Sequence, residues 1–593
     1  MRFRTTGVLI LFYSVLFTLV AFGQKFQSQP LNSFDFASYN YQIDKSEYIP
    51  QLSSELFQLY DVFTSNGDFV QFAKKRNLKV IDKSVVVTLQ PQSGYTTADI
   101  ANGLSEYNVV IEAQASRSMR CQIPINQLRE VASEVRGIRF ISNLIQPITD
   151  AVDGEGTYLM NADTWQGEGV DGSGVQVAIV DGGFQKLSDA QANGDIPPTY
   201  YGKDYTGNGL ESETEHGTAV AEAAYEVAPG SDYYYYHIGD LTDLEMAKDD
   251  LVSQGVDVVN HSMSWFVQSY YDGTGPVSDI VADAINNDVV WCNSAGNRAD
   301  SHYRDVFTEA TEGFHDMDGE GHRLNFLGPE PGYVWLFPRF YLIQLWMNWD
   351  AYPTTDQDYD LYLYRYNDSN EEWEVVASAT NRQDGTIDPV ETIGYFNTVD
   401  EGKFAFAVKK HDATIDVDFT VFVSDPIANR VYSSSITDPG VYEDVVTVGA
   451  IPLDNYGSGP QEDFSGQGPT TDGRPKPNVA GPDSCNSYAY GYWQGTSQSS
   501  PYVAGASALV RSRFSTYNES QVRDYLYTEC AVDLGDPGFD YIYGYGKLVL
   551  PEFESITVTS PNGGENWQVA SSQDITWNSD GTSGTVSLEY SVD

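Results

Sequence analysis

The apolar residues of this chain follow two spacings, and each change of spacing marks a predicted structural element. From Ser53 to Asn77 they recur at helical spacing. Between residues 84 and 144 strand-like and helix-like segments alternate in the order β-α-β-β-α-β. The predicted strands are 85–89, 109–115, 119–125 and 138–144, and the predicted helices are 97–107 and 127–135. We therefore expect one small α/β module over this region.

Beyond the module, the pattern predicts a parallel α/β region with strands of another kind inside it. Continuous apolar runs at 175–181 and 289–293 suit strands that are buried on both faces of a parallel sheet. Between 303 and 425, short alternating strands with turn-rich spacing predict a β-sandwich. Helical spacing returns at 503–514, and a new strand-like pattern begins at Ile556.

Three of these elements begin or end at a residue that could take part in catalysis. Asp181 ends the strand 175–181, at the edge where open α/β sheets carry their sites. His216, followed by Gly-Thr, stands where a predicted helix begins. Ser497, in a Gly-Thr-Ser sequence, stands where a loop becomes helix, and the free N–H groups there favour a developing negative charge. Each residue alone has a structural alternative, namely a turn carboxylate, a surface histidine or a helix N-cap.

These three sequences, together with Ser294-Ala295-Gly296-Asn297, occur in the order of the motifs of a known family. They resemble the subtilisin-like serine peptidases, the subtilase family, whose triad runs Asp, His, Ser along the chain. The segment 257–265, which contains Ser262 and Ser264, resembles the strand that borders the substrate cleft in that family. Such a strand pairs with the backbone of an extended peptide.

The resemblance implies a role for each motif residue. Ser497 would attack the scissile carbonyl, His216 would take and return its proton, and Asp181 would orient the imidazole. Asn297 and the backbone N–H of Ser497 would hold the oxyanion. The expected protein is thus a serine endopeptidase that forms an acyl-enzyme, acts on proteins or peptides, and needs no metal or organic cofactor for its chemistry.

The chain departs from the family pattern at three places. Gly182-Gly183 follow Asp181, where the family usually has Ser or Thr. Glu222 stands where Gly is common, close behind His216. Near Ser264 the family generally has Gly, so the substrate pocket beside it is expected to be narrower.

Motifs and patterns together predict an α/β fold with a parallel sheet flanked by helices and several attached units. Residues 1–23 read as a signal peptide, with a basic end, an apolar run and small residues before Gln24. The β-α-β-β-α-β order is the ferredoxin-like arrangement, and its position resembles that of a subtilase pro-region. The predicted units are 1–23 signal peptide, 24–150 pro-region, 151–302 and 429–552 peptidase domain, 303–428 inserted β-sandwich, and 553–593 start of an Ig-like module.

Charge and composition limit the partners. The net charge of -51 disfavours nucleic acid and anionic membrane surfaces. No long apolar run follows residue 23, so we expect a mature chain without a membrane span. We also expect the protein to be secreted or at the extracellular surface, and to be a monomer. Asp356, Asp358 and Asp360 could bind a structural Ca²⁺. A solvated acidic strand edge is the favoured alternative, because no known calcium pattern is complete there.

Other readings of the chain stay open at this stage. The N-terminal module could be a permanent accessory domain rather than a pro-region. The whole chain could be an inactive relative that serves as a surface adhesion or binding scaffold. A carbohydrate-active enzyme with paired carboxylates is weakly supported, because the abundant acids single out no pair.

Overall fold

A computed structural model describes residues 28–30, 49–144 apart from 66, 68 and 77, 148–149, 156–553, 555–561, 567–568 and 571–580. The predicted signal peptide, 1–23, lies outside the described residues, as do residues 581–593. In the described parts of the chain, no helix combines the length and the apolar character that a membrane crossing requires.

The N-terminal module is a unit of helices and an antiparallel sheet. Its elements are β1 (Ser28–Pro30), α1 (Ser54–Thr64), α2 (Phe69–Lys75), β2 (Val80–Ile81), β3 (Ser84–Pro91), α3 (Thr97–Leu104), β4 (Val110–Gln114), β5 (Met119–Pro124), α4 (Leu128–Glu134), β6 (Ile138–Asn143) and β7 (Ile148–Thr149). Strands β4, β5, β3 and β6 lie side by side in that order, and all neighbours are antiparallel. The helix expected over 53–77 is two helices, because the Gly67 N–H bonds back to Val62 O and ends α1.

The central region begins with alternating strands and helices. These are α5 (Ala162–Gly167), β8 (Gln176–Asp181), α6 (Leu187–Asn193), β9 (Tyr201–Asp204), α7 (His216–Val227), β10 (Asp232–His237), α8 (Leu241–Gln254), β11 (Val258–His261), β12 (Met263–Ser264), α9 (Gly275–Asn286) and β13 (Val290–Ser294). Each of the long strands is buried along most of its length, as the continuous apolar runs predict.

Eleven strands follow before the central region resumes. They are β14 (His302–Val306), β15 (Glu309–Thr311), β16 (Phe314–His315), β17 (Asn325–Phe326), β18 (Tyr333–Trp335), β19 (Leu342–Trp349), β20 (Asp358–Asn367), β21 (Glu372–Ala379), β22 (Val390–Phe396), β23 (Phe404–Asp412) and β24 (Asp418–Val423). Strands β14, β24, β19 and β22 form one sheet, and β16, β23, β20 and β21 belong to a second. Leu345, Val421, Leu361 and Phe406 come from both sheets and share one core. We call this unit, residues 302–423, the inserted sandwich.

The central region then closes with its remaining elements. They are β25 (Val446–Pro452), β26 (Val479–Asp483), β27 (Asn486–Ser487), β28 (Gly491–Tyr492), α10 (Thr496–Arg513), α11 (Glu519–Tyr525), β29 (Ala531–Val532) and β30 (Lys547–Leu548), and β31 (Ser555–Ser560) and β32 (Thr576–Asp580) follow. A nine-stranded sheet runs in the order β29-β30-β26-β25-β13-β11-β8-β10-β9. All neighbours in it are parallel except β29 and β30. The chain therefore has an α/β fold, and the carboxyl ends of β8, β11 and β13 meet at one edge of the sheet.

The inserted sandwich is packed against the central region rather than standing apart from it. The rings of Phe266 and Trp346 stack with their centroids 4.5 Å apart, and Phe422 packs on Phe266 and Tyr271. Phe266 lies two residues beyond β12, so the sandwich supports the segment that follows this strand.

The acidic residues at the start of β20 differ from the expectation of a solvated strand edge. Asp356 is exposed, but Asp358 and Asp360 are buried. The Tyr362 hydroxyl donates to Asp360 at 2.9 Å, and the His411 imidazole lies 3.4 Å from the same carboxylate. The expectation was wrong for two of the three residues, because β20 is an inner strand between β21 and β23 and is buried from Asp358 to Tyr364.

Candidate active site

Asp181 and His216 form a buried pair at the carboxyl edge of the sheet. Asp181 is the last residue of β8, and His216 is the first residue of α7. His216 Nδ1 lies 2.8 Å from both carboxylate oxygens of Asp181. The Gly182 N–H donates to Asp181 Oδ1 at 2.8 Å, so a backbone group supports the carboxylate where the family usually has a hydroxyl residue. The pair can hold the imidazole in one orientation.

Gly217 allows the close approach that this pair requires. A Cβ atom at Gly217 would lie 2.5 Å from Gly183 O and 2.9 Å from Asp181 Cβ, which is too close for any side chain. His216 Nε2 is buried and has no hydrogen-bond partner in the part of the chain that the structure describes. The imidazole therefore has one nitrogen fixed by Asp181 and the other available for a reacting group.

Ser497 lies at the start of the buried helix α10. It is the second residue of the helix, so its N–H has no acceptor within the helix. Its hydroxyl donates to Ser262 O at 3.1 Å, and no hydrogen bond joins it to His216 in the described structure. The Ser262 hydroxyl in turn donates to Ser497 O at 2.9 Å. These two bonds fix Ser497 to the residue that separates β11 from β12.

Asn297 is held by the residue directly before Ser497. Its Oδ1 accepts from the Thr496 N–H at 2.9 Å and from the Thr496 hydroxyl at 2.8 Å. Thr496 Oγ1 also accepts from the Gly296 N–H at 3.1 Å. Because Oδ1 is occupied by Thr496, the amide nitrogen of Asn297 is directed away from it. The role of Thr496 was not predicted, although it lies within the Gly-Thr-Ser sequence.

Ser264 fills space beside Gly296, the residue before Asn297. Its side chain is buried, and a Cβ atom at Gly296 would lie 3.2 Å from Ser264 Oγ. Gly296 has a φ of +92°, so the turn that presents Asn297 already favours glycine.

Strand β12, which contains Ser264, pairs in antiparallel fashion with β7 at the end of the N-terminal module. The backbone of β12 can thus bind an extended segment.

Two further residues near His216 were not assigned roles from the sequence. The Trp493 ring meets the His216 ring edge-on, with the centroids 5.5 Å apart. Glu222, one turn and a half along α7, accepts from the N–H groups of Tyr488 and Ala489 at 2.6 and 3.1 Å. Glu222 therefore anchors the turn between β27 and β28, and Trp493 directly follows β28. The sequence did signal Glu222, because it departs from the Gly that is common at this position. Its hydrogen-bond partner Tyr488 could not be identified, since it lies 266 residues further along the chain.

A possible metal site lies elsewhere, on the inserted sandwich. Among the described residues, ligand atoms of Asp318, Glu320 and His322 lie within 4.8 Å of one another. Asp318 and His322 already contact each other at 2.7 Å, and the group is at the surface. Calcium binding by this chain stays a prediction.

The family model for the subtilase family matches residues 172–314 and 349–546, which is more than half of the chain. The chain belongs to the subtilase family. The matched ranges contain all of the motif residues predicted above and leave out 315–348, which lie in the inserted sandwich of this subtilase.

Curated relatives match a shorter part of the chain. Subtilisin amylosacchariticus from Bacillus subtilis subsp. amylosacchariticus and subtilisin J from Geobacillus stearothermophilus are each 34% identical over 116 residues. Those residues are 20% of this subtilase and 28% of each relative. The match therefore spans little more than a quarter of the length of these curated relatives.

Solved structures that match this subtilase include two bacterial proteases. The CspB protease of Clostridium perfringens is 17% identical with a TM-score of 0.47, over 66% of this subtilase and 97% of that chain. The epidermin leader peptide processing serine protease of Staphylococcus aureus is 14% identical with a TM-score of 0.42, over 79% of this subtilase and 97% of that chain.

The anchoring carboxyl of Glu222 makes the stability of this subtilase depend on pH. Burial raises its pKa from 4.5 to about 8, although the Tyr488 and Ala489 N–H groups oppose the shift. The folded protein thus holds this proton more tightly than the unfolded chain, and the contribution of Glu222 to stability falls as pH rises from about 4.5 to about 8.

We therefore expect Glu222→Gln, which cannot ionise, to lessen the loss of Tm between about pH 5 and about pH 8. Thermal melts of both proteins, each carrying Ser497→Ala to prevent self-digestion, would measure this. Glu168→Gln, at an exposed carboxyl, is the control and should follow the parent protein. A Tm difference between Glu222→Gln and its parent that does not change with pH would contradict the prediction.

Proposed function

We propose that this subtilase is a secreted serine endopeptidase, made as a precursor and acting through Asp181, His216 and Ser497. The observation that carries the proposal is the imidazole of His216, fixed by Asp181 through Nδ1 at 2.8 Å while Nε2 has no partner among the described residues. A histidine held in this way can accept a proton from a serine hydroxyl and later release it. Family membership supports the same chemistry.

In the proposed reaction the Ser497 hydroxyl leaves Ser262 O and donates to His216 Nε2. As Oγ attacks the scissile carbonyl, the proton passes to the imidazole, and Asp181 stabilises the cation that forms. The imidazolium then protonates the leaving amine, which departs and leaves the acyl group on Ser497. Water, deprotonated by the same imidazole, attacks the ester and regenerates the serine.

The negative charge of the intermediate would be held by Asn297 and by the backbone N–H of Ser497. The two hydrogen bonds from Thr496 occupy Asn297 Oδ1, which favours an outward-facing Nδ2 donor. Such preorganised donors cost no reorganisation when the charge develops. No metal ion or organic cofactor enters these steps, and a structural Ca²⁺ remains an additional proposal.

An extended peptide would bind beside β12, along the backbone of Ser262 and Ser264. The pairing of Ile148 and Thr149 with Ser264 and Met263 supports this, because it places an extended segment of the chain on that strand. It also supports the role of the N-terminal module as a pro-region whose tail occupies the cleft. The signal-like residues 1–23 and the net charge of -51 support secretion. The inactive scaffold is not favoured, because each motif residue of the family is present.

Ser497→Ala should leave the precursor uncut between Leu144 and Asp171. The substitution removes the nucleophile but hardly changes the start of α10, so folding should survive while acyl transfer falls by orders of magnitude. A gel of the purified wild type and variant would show whether the N-terminal module is separated. The matched control is Ser499→Ala. Ser499 lies in the same helix and its hydroxyl donates to Pro482 O, and the variant should be processed. Equal cutting of Ser497→Ala and wild type would reject the proposal.

Thr496→Val should lower kcat about tenfold with little change in KM, because the hydroxyl that orients Asn297 is lost while the backbone bond remains. Asn297→Ala should cost more, about a hundredfold or beyond, since it removes the oxyanion donor itself. Steady-state kinetics on a peptide substrate would measure both. Thr496→Ser keeps the hydroxyl, so its kcat should stay near that of the wild type. Identical kcat values for Thr496→Val and Thr496→Ser would disprove the orienting role of the hydroxyl.

A further inference from the structure

The inserted sandwich touches the N-terminal module at the loop between β21 and β22, residues 380–389. The N–H of Ser54, at the start of α1, donates to Asn381 Oδ1 at 2.5 Å, and Ser54 Oγ accepts from the Thr380 N–H at 3.4 Å. Arg139 of β6 forms a salt bridge with Asp388. Hydrogen bonds and an ion pair thus cross this boundary from two separate elements of the module.

The boundary is closed to water around the start of α1. Ser54 and Glu55 are 1% and 3% exposed, and Asn381 is 8% exposed. The Gly394 N–H of β22 faces the Glu55 carboxyl, and burial raises the pKa of Glu55 to about 7, against the opposing charge of Arg76. The Ser54 N–H and the Asn381 side chain are thus buried and paired across the boundary, as is typical of a specific interface.

The N-terminal part of the chain makes another contact with the same sandwich. The backbone of Ser28–Pro30 pairs in antiparallel fashion with Tyr333–Trp335, which is β18. The sandwich is therefore contacted by residues 28–30, by α1 and by β6.

The module also contacts a surface of the central region, at the start of α8. Arg120 of β5 donates to Asp240 at 2.5 Å and to both oxygens of Asp243 at 3.2 Å. The hydroxyls of Ser118 and Thr242 are 2.8 Å apart. This surface and the 380–389 loop hold different parts of the module.

We propose that the inserted sandwich is a second docking surface for the N-terminal module and keeps the module bound after the chain between Thr149 and Gly156 is cut. The two surfaces act together because the sandwich is packed on the central region through Phe266 and Trp346. When one contact opens, the other keeps the module at high local concentration, so complete release is slow. If the protein is the peptidase proposed above, the retained module would inhibit it by staying in the cleft. Retention of the module itself does not depend on that function.

The test uses the full chain with Ser497→Ala, so that no cleavage by the protein itself takes part. A recognition sequence for an exogenous, sequence-specific cysteine protease is placed between Thr149 and Gly156. After cutting, size-exclusion chromatography at successive times measures how fast the N-terminal fragment leaves the remainder. The same measurement is made for Arg139→Asp, Asp388→Arg and the double variant that exchanges the two charges.

We expect the parent fragment to co-elute with the remainder, and each single variant to release it at least about tenfold faster, as loss of one partner of an interfacial charge pair acts on dissociation. The double variant should restore slow release, which a simple folding defect would not do. Arg120→Ala, on the other docking surface, should also speed release. Asp400→Asn is the matched control, because this aspartate is exposed and pairs with Arg339 within the sandwich.

Release of the parent fragment as soon as it is cut would overturn the proposal. So would single variants that release at the rate of Asp400→Asn, or a double variant that releases as fast as the single ones. None of these readings depends on catalysis, because the Ser497 hydroxyl is absent throughout. A chain without peptidase activity could therefore still pass this test, and an active one could fail it.

Discussion

Complete burial of the first four turns of helix α10 is the constraint on which the rest of the site depends. Every residue from Thr496 to Val510 is buried, and the helix packs against α7 and against strands β11, β13, β25 and β26. Only small side chains fit at the closest approaches. A Cβ atom at Gly505 would lie 2.6 Å from Val227 Cβ, and one at Gly481 would lie 2.7 Å from Ser499 O. The first turn of the helix, with Ser497, is consequently held in one position relative to the sheet.

Local sequence was sufficient for those parts of the site that each element positions by itself. Asp181 at a strand end, His216 at a helix start and Ser497 at a loop-to-helix boundary lie where the apolar spacing and the flanking Gly-Thr residues indicate. The family followed from their order and is confirmed by the match over most of the central region. The catalytic roles themselves stay predictions.

Contacts between distant segments could not be predicted in the same way. Thr496 holds Asn297, and Glu222 holds the Tyr488–Ala489 backbone, through bonds that no local pattern encodes. The burial of Asp358 and Asp360 depends likewise on which strands flank β20. Spacing predicts which face of an element is apolar, whereas the identity of its neighbour follows only from the whole topology.

The bond between Thr496 and Asn297 joins residues 199 positions apart, with the inserted sandwich in between. Closing so long a loop costs chain entropy that only many later contacts offset, and folding with such distant contacts is slow. During synthesis Asn297 is made before Ser497, and the two can meet only after the residues between them have been added. For the peptidase proposed above, the timing of assembly is thus a safeguard of its own, because a newly made or partly folded chain would have no complete site with which to attack its neighbours.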